Sequence, residues 1–363
     1  MTVLLMVGTR KGLWLARSDD GRRSWQIGDP HFFMQEIPAC AIDTRGDTPR
    51  LLVGARSEHW GPSVFHSDDA GASWQEPEGG AVRFPAEAEA AVKAVWQLRP
   101  DAQTRAGVVW AGTEPSALWR SDNGGETFAL VDGLWDHPHR PTWEPGFGGQ
   151  AIHTVLPHPT DDDQVLVAMS TGGVYATSDA GKSWNPSNQG IKAYFMPDPW
   201  PEYGQCVHKV ARDPADPQRL FAQNHHGVYR SDDGGSSWVS IADGLPSDFG
   251  FPVVTHPTRG GTVWVVPLVA DGERVPPDGA LKVWRTSDAG DSWLASSNGL
   301  PGSGFYASVL RDAFTADDVA DSAGLYVGAR DGSVYASADE GESWTEVARH
   351  LPDILCLRAA TLP

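Results

Sequence analysis

The octapeptide SDDGGSSW occupies residues 231–238. Near copies recur as SDDGRRSW at 18–25, SDDAGASW at 67–74, SDNGGETF at 121–128, TSDAGKSW at 177–184, TSDAGDSW at 286–293 and SADEGESW at 337–344. The Ser or Thr that opens each copy is separated from the next by 49, 54, 56, 54, 55 and 51 residues. Sevenfold self-similarity at that period is the spacing of propeller blades. It overrides the two or three domains that 363 residues would otherwise suggest. Residues 1–363 are therefore expected to form one all-β domain, a seven-bladed β-propeller.

Each unit reads as four strands, a to d, with the repeated turn joining c to d. The c strands end in an aromatic or apolar residue before the turn, as in SVFHS, GVYRS and KVWRTS. The b strands are short apolar runs such as RLLVGA, QVLVAMS and RLFAQN, and the a strands include IPACAID, AVWQLRP, AIHTVLP, CVHKVAR, FPVVTHP and ASVLRDA. The chain begins directly with a b strand, VLLMVGT, and finishes with ILCLRAA, an a strand lacking a blade of its own. Pairing the two completes blade 1 from residues 1–27 plus 353–360, closes the ring and leaves no terminal sheet edge exposed.

Composition agrees: 40 Gly, 28 Pro and 16 Trp suit short strands and tight turns. A formal net charge of −19 argues against nucleic acid or an anionic membrane as partner, since phosphate recognition needs a basic footprint. Cys40, Cys206 and Cys356 are far apart and odd in number, which points away from a disulfide framework or a CxxC metal site and towards a reducing cytoplasm. The N-terminal apolar run is too short for a membrane span and has no basic stretch before it, so it reads as a mature strand.

Within each turn, Asp and Ser oxygens can accept backbone N–H bonds and Gly supplies a positive φ. The closing Trp leaves the turn for the space between sheets, a burial that contributes on the order of a few kcal/mol. The motif S-x-D-x-G-x-[ST]-[WF], matched at Ser67, Asp69, Gly71, Ser73 and Trp74 and at Ser231, Asp233, Gly235, Ser237 and Trp238, resembles the Asp-box or BNR repeat. Asn123 replaces Asp in the third copy, Thr177 and Thr286 replace Ser, and Arg22 stands at the Gly position of the first. The whole chain is similar to cytoplasmic bacterial propellers described as sialidase-like or glycosyl hydrolases. That resemblance implies a glycosidase-like hydrolase acting on a small or glycan-like anionic ligand. Seven-bladed members that bind proteins imply an alternative, a non-catalytic scaffold with a protein partner.

Successive strands reverse direction, so the repeated turns share one face while the b–c hairpins and d–a crossings share the other, here called the top. Loops on a rigid scaffold are where sites concentrate. The longest crossings are DGLWDHPHRPTWEPGFGGQ at 132–150 and KAYFMPDPWPEYGQ at 192–205. Aligned a strands place Trp96, His153, His208, Phe251 and Ala307 at equivalent positions near the channel mouth. His225 and His226 fall in a b–c hairpin, and Glu114 in the hairpin two blades earlier. Imidazoles beside a carboxylate can act as acid and base, or can bind a transition metal such as Zn. The metal candidates are His153, His208 and His225, and this makes a His-ligated metal-dependent enzyme a further alternative.

Arg10, Arg56 and Arg330 occupy equivalent hairpins of three neighbouring blades and form a candidate clamp for a carboxylate, sulfate or phosphate. The competing expectation is that each pairs with a nearby acid, as Arg330 would with Asp331. The sialidase resemblance implies three arginines on a substrate carboxylate and a Tyr–Glu nucleophile. Tyr306, Tyr194 and Tyr203 with Glu36, Glu58 and Glu202 are available, but the chain has no R-I-P segment and one blade more than those enzymes use. Another glycosidase needs two carboxylates roughly 5–9.5 Å apart, with Glu114, Glu36, Asp136 and Asp248 as candidates. The residues expected to carry catalysis are Glu114, His153, His208 and Glu36. Those expected to bind ligand are Arg10, Arg56, Arg330, Trp96, His225 and Tyr306.

Overall fold

The computed structural model describes residues 2–362 apart from 79, 147, 148, 271, 320 and 321. Its described residues form seven antiparallel sheets, a seven-bladed β-propeller. Six sheets have four strands. The second has three, Glu36–Asp43, Arg50–Ser57 and Gly61–Ser67, with a single bridge between His66 and Gln75 where a d strand would lie. The first sheet takes its a strand from the far end of the chain: Ile354–Leu362 pairs with Thr2–Thr9, from Thr2 opposite Leu362 to Gly8 opposite Cys356. Innermost strands of successive blades touch one another right round the ring.

The b strands are buried on both faces, which is why they read as unbroken apolar runs. Val165–Met169 and Leu220–Asn224 have no exposed residue. Packing between blades leaves little room: a Cβ on Gly290 would meet Ile241 of the preceding blade at 2.6 Å.

The repeated turns share one hydrogen-bond plan. In the second copy, Ser67 Oγ donates to Asp69 Oδ1 (2.7 Å) and accepts from Gly71 N (2.9 Å), while Asp69 accepts from Ser73 N and Ser73 Oγ (2.8 and 2.5 Å). The same set recurs around Asp179, Asp233, Asp288 and Asp339. Asn123 keeps it by reversing one bond, its Nδ2 donating to Thr127 Oγ1 at 2.9 Å. The closing Trp then reaches the neighbouring blade: Trp238 Nε1 donates to Ser187 O and Trp293 Nε1 to Ile241 O.

Arg22 does not distort the first turn. It adopts φ 71°, where the other copies have Gly, and its N–H still reaches Ser18 Oγ at 3.0 Å. Its guanidinium forms a buried two-pronged pair with Asp317 of blade 7 (2.7 and 2.9 Å), and Tyr326 Oη donates to the same carboxylate. A left-handed non-Gly residue costs roughly 1–2 kcal/mol, and at Arg22 that cost accompanies a buried carboxylate whose oxygens are both bonded. One expectation is corrected. The a strand of blade 7 is Phe314–Ala316, not 307–313, because the preceding segment turns inward to carry Arg311 and Asp312 towards the channel. Ala307 is consequently not equivalent to His208.

Two outcomes are expected. Arg22→Gly leaves Asp317 buried without its cation and lowers unfolding free energy by about 3–5 kcal/mol, less the relieved backbone strain; guanidinium denaturation measures it. Hydrogen bonds from Ser hydroxyls and N–H groups hold the Asp69, Asp179 and Asp288 carboxyls down at about 2. Folded values below unfolded ones mean that this stability is complete above the ordinary Asp range, near 4, and drains away as pH falls towards 2. Replacing all three with Asn, as at Asn123, should flatten the tryptophan-fluorescence stability profile over that interval.

Candidate functional site

The a strands carry a shared irregularity that builds the top of the channel. Pairing with the b strand slips between Val95 and Gln97, Ile152 and Thr154, Val207 and Lys209, and Gly250 and Val253. A bulge re-aims the side chain it carries. The residues inside these slips include Trp96, His153, His208 and Phe251, so their equivalence, expected from the aligned strands, has a backbone cause.

A pocket of about 210 Å³ opens beside them, lined by His208, His225, Cys206, Arg274, Arg311 and Phe251, with Phe195 and the Gly146–Thr171 side completing the wall. One ligand atom each from Cys206, His208 and His225 lies within 4.8 Å of the others. His208 is buried; its Nδ1 meets Gly250 O at 2.5 Å, and the imidazole rings of His208 and His225 are 5.5 Å apart. Burial, with Arg311 nearby, pushes His208 well below the usual histidine range and keeps it neutral. His153 is wholly buried and is likewise pushed down by burial, Arg311 and Lys209. It lies outside the cluster: the third member beside His208 and His225 is Cys206, not His153.

Arg311 stacks over Trp96 at 5.2 Å and Arg274 over Phe251 at 5.7 Å, so two guanidinium groups face the pocket with aromatic rings behind them. Trp96 Nε1 donates to Glu114 Oε2 (3.2 Å), and Lys93 Nζ stands 4.0 Å from Oε1. Glu114 also packs on Gly149, which bridges to Gly146 of the pocket wall. Glu114 thus sits one side chain back from the cavity.

Arg10, Arg56 and Arg330 are gathered elsewhere on the top face, in a chain of alternating charge. Glu36 accepts from Arg10 (3.1 Å) and Arg56 (3.3 Å), and Asp353 meets Arg10 (3.6 Å) and Arg330 (2.8 Å). Arg330 therefore pairs with Asp353, not Asp331. All three arginines remain about half exposed. Tyr306 is 72 % exposed, its ring against Gly279. Tyr203 is stacked on His139 at 4.0 Å within a cap that also holds His137, Trp143 and Tyr175. The described part of the 132–150 crossing therefore caps its blade, and residues 147 and 148 lie outside the described residues.

Below the pocket, Lys209 Nζ reaches across the channel to Gln97 Oε1 (2.9 Å), His153 O (3.2 Å) and Asp312 Oδ1 (2.9 Å), and Arg358 also pairs with Asp312. This knot ties blades 1, 3, 4, 5 and 7. Beneath it a 480 Å³ cavity opens on the other face. Sequence reasoning missed Cys206, Arg274 and Arg311. Cys206 stood two residues from His208, and that spacing was the available signal.

No protein-family model matches the chain. It is 25% identical over 243 residues to a xyloglucanase of Paenibacillus sp, covering 57% of this chain and 22% of that protein. To a xyloglucanase of Hypocrea jecorina (strain QM6a) it is 25% identical over 252 residues, covering 66% and 24%. The chain spans about a quarter of the length of these curated relatives. Among solved structures it resembles an ancestral GH74 enzyme, with TM-score 0.62, 17% identity and coverage of 86% of this chain and 38% of that one. It also resembles YCF48 bound to D1 peptide, with TM-score 0.51, 14% identity and coverage of 85% and 81%.

Position should decide the cost of losing a carboxylate. Asp312→Ala strands Lys209 and Arg358 and should cost about 3–5 kcal/mol, whereas Glu36→Gln, on the exposed arginine chain, should change stability by no more than about 1 kcal/mol. Paired urea titrations compare them.

Proposed function

We propose that the protein is a glycan-directed hydrolase working on the top face of its ring. The observation that carries this reading is where the exposed rings lie. Trp60, Tyr194, Phe195, Trp200 and Tyr306 all project from top-face hairpins or crossings, Trp60 with 90 % of its surface open. Rings left open to water on one face offer recognition surface, and flat aromatic rings suit the C–H faces of pyranose units. The curated relatives, which are xyloglucanases, support the same class of ligand.

In this reading the aromatic rim holds the sugar chain, and Arg274 and Arg311 take an acidic substituent in the pocket. Glu114, one side chain back from the pocket and bonded to Trp96, is assigned the role of the acid that protonates a leaving glycosidic oxygen. Glu36, on the neighbouring blade, is the second carboxylate, oriented by Arg10 and Arg56. Two carboxyl groups flanking one bond are the general requirement of glycoside cleavage.

The test is release of reducing ends from xyloglucan oligosaccharides, sialosides and uronide-bearing oligosaccharides. Glu114→Gln should slow turnover of the best substrate by roughly 10²–10⁴-fold with binding retained, and Trp60→Ala should weaken binding. Peptide binding without any glycan binding or cleavage would replace this reading with a protein-binding propeller, the alternative favoured by the likeness to YCF48 bound to D1 peptide.

A further inference from the structure

The pocket contains a donor set that glycoside cleavage does not need. We propose that Cys206, His208 and His225 form a binding site for one divalent transition-metal ion of the zinc class, with a fourth position open to the pocket. The inference stands apart from the glycan reading.

Three features of the backbone and rings support it. First, the main-chain N–H of His225 donates to Cys206 O at 2.9 Å, which pins the hairpin carrying one imidazole against the residue that carries the thiol, immediately before the strand Val207–Arg212 that carries the other imidazole. Second, a carbonyl can only accept, so the contact between His208 Nδ1 and Gly250 O places the proton on Nδ1 and leaves the Nε2 lone pair for a ligand. Metal-binding histidines are oriented by this kind of second hydrogen bond. Third, two imidazoles on one tetrahedral ion at about 2.0–2.1 Å bring their ring centres roughly 5 Å apart. The observed separation is 5.5 Å.

The surroundings favour the same conclusion. Phe249 and Phe251 stand 5.5 and 4.7 Å from the His208 ring, and Phe249 is 5.1 Å from His225. An apolar shell keeps competing water away and strengthens electrostatic attraction inside it. Two neutral imidazoles and one thiolate neutralise only one of the ion's two charges. Arg274 and Arg311 beside it repel a bare dication, so the site calls for hydroxide or an anionic oxygen, from a carboxylate or phosphate, at the fourth position. Three protein ligands and one exchangeable position is the pattern of catalytic rather than structural zinc.

Full-length protein stripped with a chelator and titrated with Co(II) tests the site. The expected result is one Co(II) per chain, visible ligand-field bands, a near-ultraviolet sulfur-to-cobalt charge-transfer band, and loss of the spectrum when Zn(II) is added. Cys206→Ser should abolish the charge-transfer band, and His225→Ala should weaken binding by at least about 100-fold, since losing even an outer partner costs 10–100-fold. His225 is only partly buried, so its variant keeps the test valid should His208→Ala fail to fold by circular dichroism. Absence of stoichiometric binding, or a charge-transfer band that survives Cys206→Ser, overturns the proposal. The readout is a spectrum, so its failure leaves the glycan reading standing, and loss of glycan activity leaves the metal site standing.

Discussion

A single side-chain oxygen, the Oδ1 that each repeated turn presents inward, sets the geometry of the whole ring. In six turns it belongs to Asp and in one to Asn123, and it takes both a hydroxyl and a main-chain N–H. Fixing that turn fixes where the d strand begins and where the closing aromatic enters the next blade. Blade then packs on blade closely enough that Gly290 has no room for a methyl group. The innermost strands are thereby brought side by side, and the bulges they share aim Trp96, His153 and His208 at the same end of the channel. Convergence at the top is a consequence of order at the bottom.

Charge follows the same division. The molecule is strongly acidic overall, yet its interior and its top pocket collect cations. Low in the channel these are consumed structurally, with Lys209 and Arg358 both on Asp312. Above it, Arg274 and Arg311 are backed by aromatic rings and face open volume. Guanidinium groups are planar cations with several N–H donors, so two of them in the wall give the pocket a positive field suited to an anionic group.

The repeat was legible because its chemistry is local: Ser, Asp and Gly act within eight residues of one another, and their spacing survives in the linear sequence. The histidines could be aligned because the a strands share a pattern. What could not be read depends on distant partners. Arg330 turned to Asp353, 23 residues on, rather than to its neighbour Asp331. Cys40 and Cys356, 316 residues apart, meet with their sulfurs 3.5 Å from each other. Arg22 stands where the repeat has Gly, and its reach to a partner 295 residues away, Asp317, is not visible in the linear sequence. Arg311 was hidden by a strand that begins later than its repeat suggests, and His153 yielded its place in the donor cluster to Cys206 because the hairpin carrying His225 is bonded to Cys206.

The proposed recognition face and the repeated turns are told apart most directly by hydrogen–deuterium exchange with and without a saturating acidic or xyloglucan-derived oligosaccharide. The expected result is protection confined to the top-face hairpins and crossings, residues 57–61, 192–206, 272–281 and 304–312, with the seven repeated turns unchanged. Protection at those turns or around the lower cavity, or no protection anywhere, would contradict it.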